Sequence, residues 1–171
     1  MTTMTTVSSV EKALGQVERA LGFVPNLFKE MSASPATLKV YLGGQEALRG
    51  GTLSASEQQA VQLAVSSAND CHYCQAAHGW LGRKVGLSPE EVTAIRKGGL
   101  PAAVELAPVV RATRLLLEKK GWLTAGDLVA LEQEGITKAK VYEIVAFIGL
   151  KSISNYINHI AHTPIDHEFA G

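Results

Sequence analysis

Ser54-Ala-Ser-Glu57-Gln-Gln59-Ala60-Val61-Gln-Leu-Ala64-Val65-Ser-Ser-Ala68 runs directly into Asn69-Asp70-Cys71-His72-Tyr73-Cys74-Gln-Ala-Ala-His78. Ser54 and Glu57 have the spacing of a capping box, in which the serine hydroxyl takes the N–H three residues on and the glutamate reaches back to the cap's own N–H. Ala60, Val61, Ala64, Val65 and Ala68 then recur at helical intervals, predicting a helix to about Ala68. Asn69-Asp70 interrupts it, and either residue can cap a second helix that carries Cys71, Cys74, His78 and Leu81 until Gly86 closes it.

Helical spacing extends in both directions. Residues 1–8 are rich in Thr and Ser and are expected to fray, leaving residues 9–171 as a single domain. Val10, Ala13, Leu14, Val17, Ala20 and Leu21 predict a helix from Ser9, which Gly22 to Pro25 ends. A short helix over Asn26 to Met31 is expected, then one opening at Ser34-Pro35 and broken by Gly50-Gly51. Ser88-Pro89-Glu90-Glu91 gives a cap, a proline in the first turn and a third-position glutamate, so a helix runs from there to Gly98-Gly99. Further helices are expected at Ala103 to Lys120 and Leu128 to Glu134. Val141 to Ile148 has strand-like composition, but Val141, Ile144, Val145 and Ile148 fit a helix, as do Ile153, Tyr156, Ile157 and Ile160. One long buried helix from Thr137 to about Ala161 follows. No run alternates well enough to build a sheet, and the fold class is all-α.

Composition narrows the function. The 171 residues carry 16 Lys+Arg against 16 Asp+Glu, and the zero net charge offers no general footprint for nucleic acid or an anionic membrane. No apolar run approaches the length of a membrane span, no signal pattern opens the sequence, and a cytoplasmic protein is expected. The two cysteines form one C-x-x-C, too close together to staple a fold usefully.

On a helix, Cys71, Cys74 and His78 lie three, four and seven apart and share one face. Cys71, in the first turn, would have its thiolate favoured by the helix terminus, and His78 could take a proton from Cys74 or stabilise its thiolate. A thiolate attacks O–O and S–S bonds, and a second thiol can close a disulfide behind it. Two core cysteines are an alternative reading. So is a zinc site, to which His159 and His162 could add ligands. Thioredoxin-like chemistry fails because no strand precedes the pair.

Leu53 to His78, with its C-x-x-C-x-x-x-H, resembles the alkylhydroperoxidase D / carboxymuconolactone decarboxylase family. Gly22-Phe-Val-Pro-Asn-Leu-Phe28 and Asn155-Tyr-Ile-Asn-His159 resemble segments of its peroxidase-related branch. The resemblance implies an all-helical fold, homo-oligomers such as trimers or hexamers, and thiol-dependent reduction of hydroperoxides. It makes Cys74 the attacking cysteine, Cys71 the proton donor and resolving partner, and His78 part of a proton relay. It calls for no cofactor, but for an external reductant, either a thiol protein or a dihydrolipoyl-type dithiol. It also leaves open a decarboxylase-type lyase, while zinc binding or redox sensing without catalysis is the other alternative.

The relay glutamate of that family falls twelve residues before the first cysteine, where this sequence has Gln59. Gln59 cannot take up a proton at neutral pH. Glu57 is the nearby substitute, although its capping-box role competes. His72 is expected to face solvent. Trp80 and Leu81 could wall an apolar substrate pocket or serve the core, and Asn155 and Asn158 need partners if buried.

Overall fold

The computed structural model describes residues 2–170, with side chains from residue 9 to residue 170. The frayed tail expected over residues 1–8 therefore lies outside the residues described in full. Among the described residues the chain is helical with no strand. Its helices are α1 (Thr2–Leu21), α2 (Asn26–Met31), α3 (Pro35–Arg49), α4 (Ala55–Ala68), α5 (His72–Lys84), α6 (Pro89–Arg96), α7 (Ala107–Lys119), α8 (Ala125–Gln133) and α9 (Lys138–Ala161). A 3-10 turn at His167–Phe169 follows.

Local chemistry accounts for the boundaries. Ser54/Glu57 and Ser88/Glu91 form reciprocal capping boxes at the starts of α4 and α6. Thr124 and Asp127 form a third at α8, which therefore begins three residues before the expected Leu128. Helix α7 starts at Ala107 rather than Ala103, with Pro108 in the first turn, where a missing N–H costs nothing. Neither Asn69 nor Asp70 caps α5. Asn69 closes α4, Asp70 takes the left-handed conformation at φ +52°, and Cys71 itself is the N-cap.

Helix α4 lies at the centre, against α5, α6, α7 and α9. One apolar cluster joins Ala60, Val61 and Ala64 of α4 to Val109, Val110 and Ala112 of α7 and Ile144 and Phe147 of α9, all 0–1% exposed. A second gathers Leu27, Met31, Leu38 and Tyr41 around Cys71 and Cys74. Alanine and valine let the helices approach closely, which suits a chain with only 6% aromatic residues. No helix among the described residues is long and apolar enough to cross a membrane.

Candidate active site

The left-handed Asp70 turns the chain in three residues from α4 into α5, and the Cys71 N–H closes the corner on the Ser66 carbonyl at 2.9 Å. Cys71, Cys74 and His78 then form one buried row. Facing it, α9 presents Lys151, Ser154, Asn155 and Asn158 at offsets of zero, three, four and seven. The two helices pair in opposite directions, so His78 meets Lys151 while the cysteines meet Ser154 and Asn158.

The contacts are specific. Lys151 Nζ lies 2.7 Å from His78 Nε2. Asn158 Nδ2 donates to Cys74 Sγ at 3.2 Å and reaches Cys71 Sγ at 3.9 Å. Ser154 Oγ is 3.9 Å from Cys74 Sγ. Asn155 is fully buried, and its side-chain oxygen accepts from Asn69 at 2.9 Å.

These contacts separate the two thiols. The hydrogen bond from Cys71 holds the Cys74 thiol well below its ordinary range; burial opposes this, and the Lys151 ammonium, Asn155 and Ser154 reinforce it. Cys71 is pushed far the other way, because its proton is held in that bond and burial disfavours its charge. The negative charge therefore sits on Cys74. The preference of a helix terminus for a thiolate at Cys71 is overridden, since Cys71 keeps its proton and donates it in a hydrogen bond to its neighbour.

Burial drives the His78 pKa well below the ordinary 6.5, with the Lys151 charge adding to the effect, so the ring is neutral. Burial also opposes the charge on Lys151, but the Cys74 thiolate, Tyr41 and Cys71 outweigh it and hold the ammonium above its usual range. A charged Lys151 can only donate, so Nε2 accepts and the ring proton sits on Nδ1. That proton meets Gln59 Oε1 at 2.9 Å.

Gln59 thus stands beside the row, whereas Glu57 does not join it. The Glu57 carboxylate accepts from Ser54 N at 2.7 Å and pairs with Lys140 at 2.5 Å. His72 is exposed beside Asp70. Tyr73, on the other side of α5, donates its hydroxyl to Asp166 at 2.5 Å and accepts from Leu27 N at 3.1 Å. Asp166 also accepts from Asn26 N, so the C-terminal segment clips the start of α2 to α5. Trp80 packs edge-on against Phe23 and Phe169 with Lys84 over its ring, while Leu81 lines the cavity. His159, His162 and His167 are exposed. Among the described residues no group of three or more His, Cys, Asp or Glu is placed to hold a metal ion.

Cys74, His78, Lys151, Gln59, Gln62, Tyr41 and Phe28 line a cavity of about 270 Å³, which Cys71 does not line. A larger groove of about 710 Å³ between α1 and α3 shares Val17, Leu42, Gln45 and Arg49 with it. A molecule entering the cavity would meet the Cys74 sulfur, with Cys71 behind it.

Lys151, Ser154 and Asp166 went unnoticed in the sequence. Lys151 left one signal: it is the sole charged residue from Ile144 to Asn158, and it stands seven residues from each. That interval places it on the stripe that buries Ile144 and Asn158.

Residues 35–118 match the model of the carboxymuconolactone decarboxylase family. No curated protein matches the chain. Among solved structures it is similar to an alkylhydroperoxidase AhpD core, peroxidase-related protein from Ralstonia eutropha JMP134. That likeness has a TM-score of 0.85 and 22% identity, over 95% of this chain and 87% of the other. A peroxidase-related protein from Silicibacter sp. TM1040 gives a TM-score of 0.80 and 20% identity, over 94% and 86%. The debrominase Bmp8 gives 0.72 and 17%, over 94% and 87%; one of its structures holds 2,3,4-tribromopyrrole.

Proposed function

The chain belongs to the alkylhydroperoxidase D-like / carboxymuconolactone decarboxylase family, and from that premise we propose that it is a thiol-dependent peroxidase reducing organic hydroperoxides. One arrangement carries the reading: Cys74, its thiol held well below its ordinary range, faces a cavity, with Cys71 hydrogen-bonded behind it and pushed the other way. Cys74 attacks the peroxide and becomes a sulfenic acid. Cys71 attacks that sulfur, releasing water and closing a disulfide. His78 acts by positioning its neighbours.

The chain has no third cysteine, so an external dithiol or thiol protein must restore the pair. No bound cofactor is required. Free thiols suit a reducing cytoplasm. Tyr142, Val145, Tyr156 and Ile160 leave apolar surface exposed along α9, which supports assembly into a homo-oligomer, a trimer or hexamer in our reading.

Counting thiols before and after one equivalent of cumene hydroperoxide tests the proposal. Loss of two thiols to an intramolecular disulfide is expected, and unchanged thiols would overturn it. The apolar walls around the thiolate favour a second reading, reductive dehalogenation of a halogenated aromatic, which would consume the same dithiol and release halide. A lactone-acid lyase has no need of the dithiol, and activity that survives loss of both cysteines would select it.

A further inference from the structure

Resting on the peroxidase reading, we infer that Lys151 is the acid of the site, delivering its proton to the alkoxide that leaves the peroxide, and that Gln59 orients His78 as the acceptor that holds Lys151 in place. Lys151 is completely buried, lines the cavity beside Cys74 and donates to His78 Nε2 at 2.7 Å. The titratable groups facing it are Cys71, Cys74 and His78 at α5 and Tyr41 on α3. No carboxylate lines the cavity among the described residues. Its other charged group, Arg49, is exposed and paired with Glu46. The charge on Cys74 is therefore balanced by Lys151 alone.

The proton count closes. The Cys74 thiolate attacks the terminal peroxide oxygen; an S–O bond forms, the O–O bond breaks, and the sulfur loses two electrons to the peroxide. The alkoxide takes a proton from Lys151, leaving alcohol and a neutral amine. That amine accepts the Cys71 proton as Cys71 attacks the sulfenic acid. The S–S bond forms, hydroxide leaves, and Lys151 returns the proton to give water. Reduction of the disulfide by the external dithiol supplies the proton that recharges Lys151 beside a new Cys74 thiolate.

Gln59 fits this scheme because it is uncharged. Its oxygen takes the Nδ1 proton of His78 without drawing a second proton onto the ring. A glutamate there would favour an imidazolium 2.7 Å from the ammonium, and the two like charges would repel.

The test compares cumene hydroperoxide, whose alkoxide needs a proton to leave, with perbenzoic acid, whose carboxylate does not. Rates of Cys74 oxidation are read in a single turnover for the wild type and for Lys151→Met and Lys151→Arg. Each is divided by the ionised fraction of Cys74 measured by ultraviolet absorbance, so that a loss of thiolate does not count as a loss of acid catalysis. Lys151→Met is expected to slow the hydroperoxide about a hundredfold or more and the peroxy acid far less. Lys151→Arg should restore the Cys74 thiolate but not the hydroperoxide rate, because an arginine does not release its proton. Equal slowing of both oxidants, or of neither, would overturn the role of Lys151. Should the wild type oxidise neither, the peroxidase reading fails, and ultraviolet titration of the thiolate decides instead. An unchanged Cys74 pKa in Lys151→Met overturns the inference, and a raised one sustains Lys151 as the counter-charge. If Lys151→Met does not fold, Gln59→Glu serves. A new ionisation near neutrality in its pH–rate profile supports the scheme, and an unaltered profile contradicts it.

Discussion

Helix α4 packs on α7 through alanine and valine, while α5 packs on α9 through two thiols, an imidazole, an ammonium and two amides. Both contacts are equally dry, since Val61 and Val110 are 0% exposed and so are Lys151 and Asn155. The first is held by area removed from water. The second rests on individual polar contacts, although Asn155 Nδ2 and Asn158 Oδ1 are buried with no hydrogen-bond partner, and its charges persist only as a pair. Substitutions in the first region should therefore cost stability, and in the second they should cost chemistry.

The largest effect is expected from Cys74→Ser, which should abolish hydroperoxide consumption in a dithiol-coupled assay. Cys71→Ser should still lose the Cys74 thiol to one equivalent of peroxide but form no intramolecular disulfide. On the apolar side, Phe147→Ala should destabilise by about 3–5 kcal/mol in urea unfolding while the Cys74 thiolate titrates as before. A shifted thiolate there would mean that the two regions are not independent. Tyr73→Phe leaves Asp166 and Leu27 N short of a buried partner and should cost about 1–3 kcal/mol.

The contrast also has a pH signature. His78 is neutral in the fold but ordinary when unfolded, so the unfolded chain binds more protons below pH 6.5. Stability should then fall as pH drops from about 6.5 toward the depressed folded value, by up to about 1.4 kcal/mol per pH unit. Urea midpoints of wild type and His78→Asn across that window measure it, and the slope should shrink in the variant. Smallest is Ser54→Ala, which removes one half of a capping box and should cost about 1 kcal/mol without touching the thiolate.

The same division decides what could be read in advance. Helices α4 and α6 were legible because serine, glutamate and apolar spacing all act within a few residues. The row Cys71, Cys74, His78 was legible for the same reason, as was the long α9. Its partner row was not. A lysine on a helix ordinarily lies in solvent, and only the fold, pairing residues 73 positions apart, gives Lys151 a reason to be buried. The choice between Gln59 and Glu57 was likewise beyond the sequence, because the corner at Asp70 sets the rotation of α4 relative to α5. The charge on Cys74 rather than Cys71 follows from a hydrogen bond between neighbours that spacing alone does not orient.

Ultraviolet thiolate absorbance, titrated against pH in the reduced wild type, Cys71→Ser and Cys74→Ser, addresses the division between the two sulfurs directly. One thiolate per chain is expected at neutral pH, present in the wild type and absent in Cys74→Ser. No thiolate at neutral pH, or one that survives in Cys74→Ser, would contradict the assignment of the charge to Cys74.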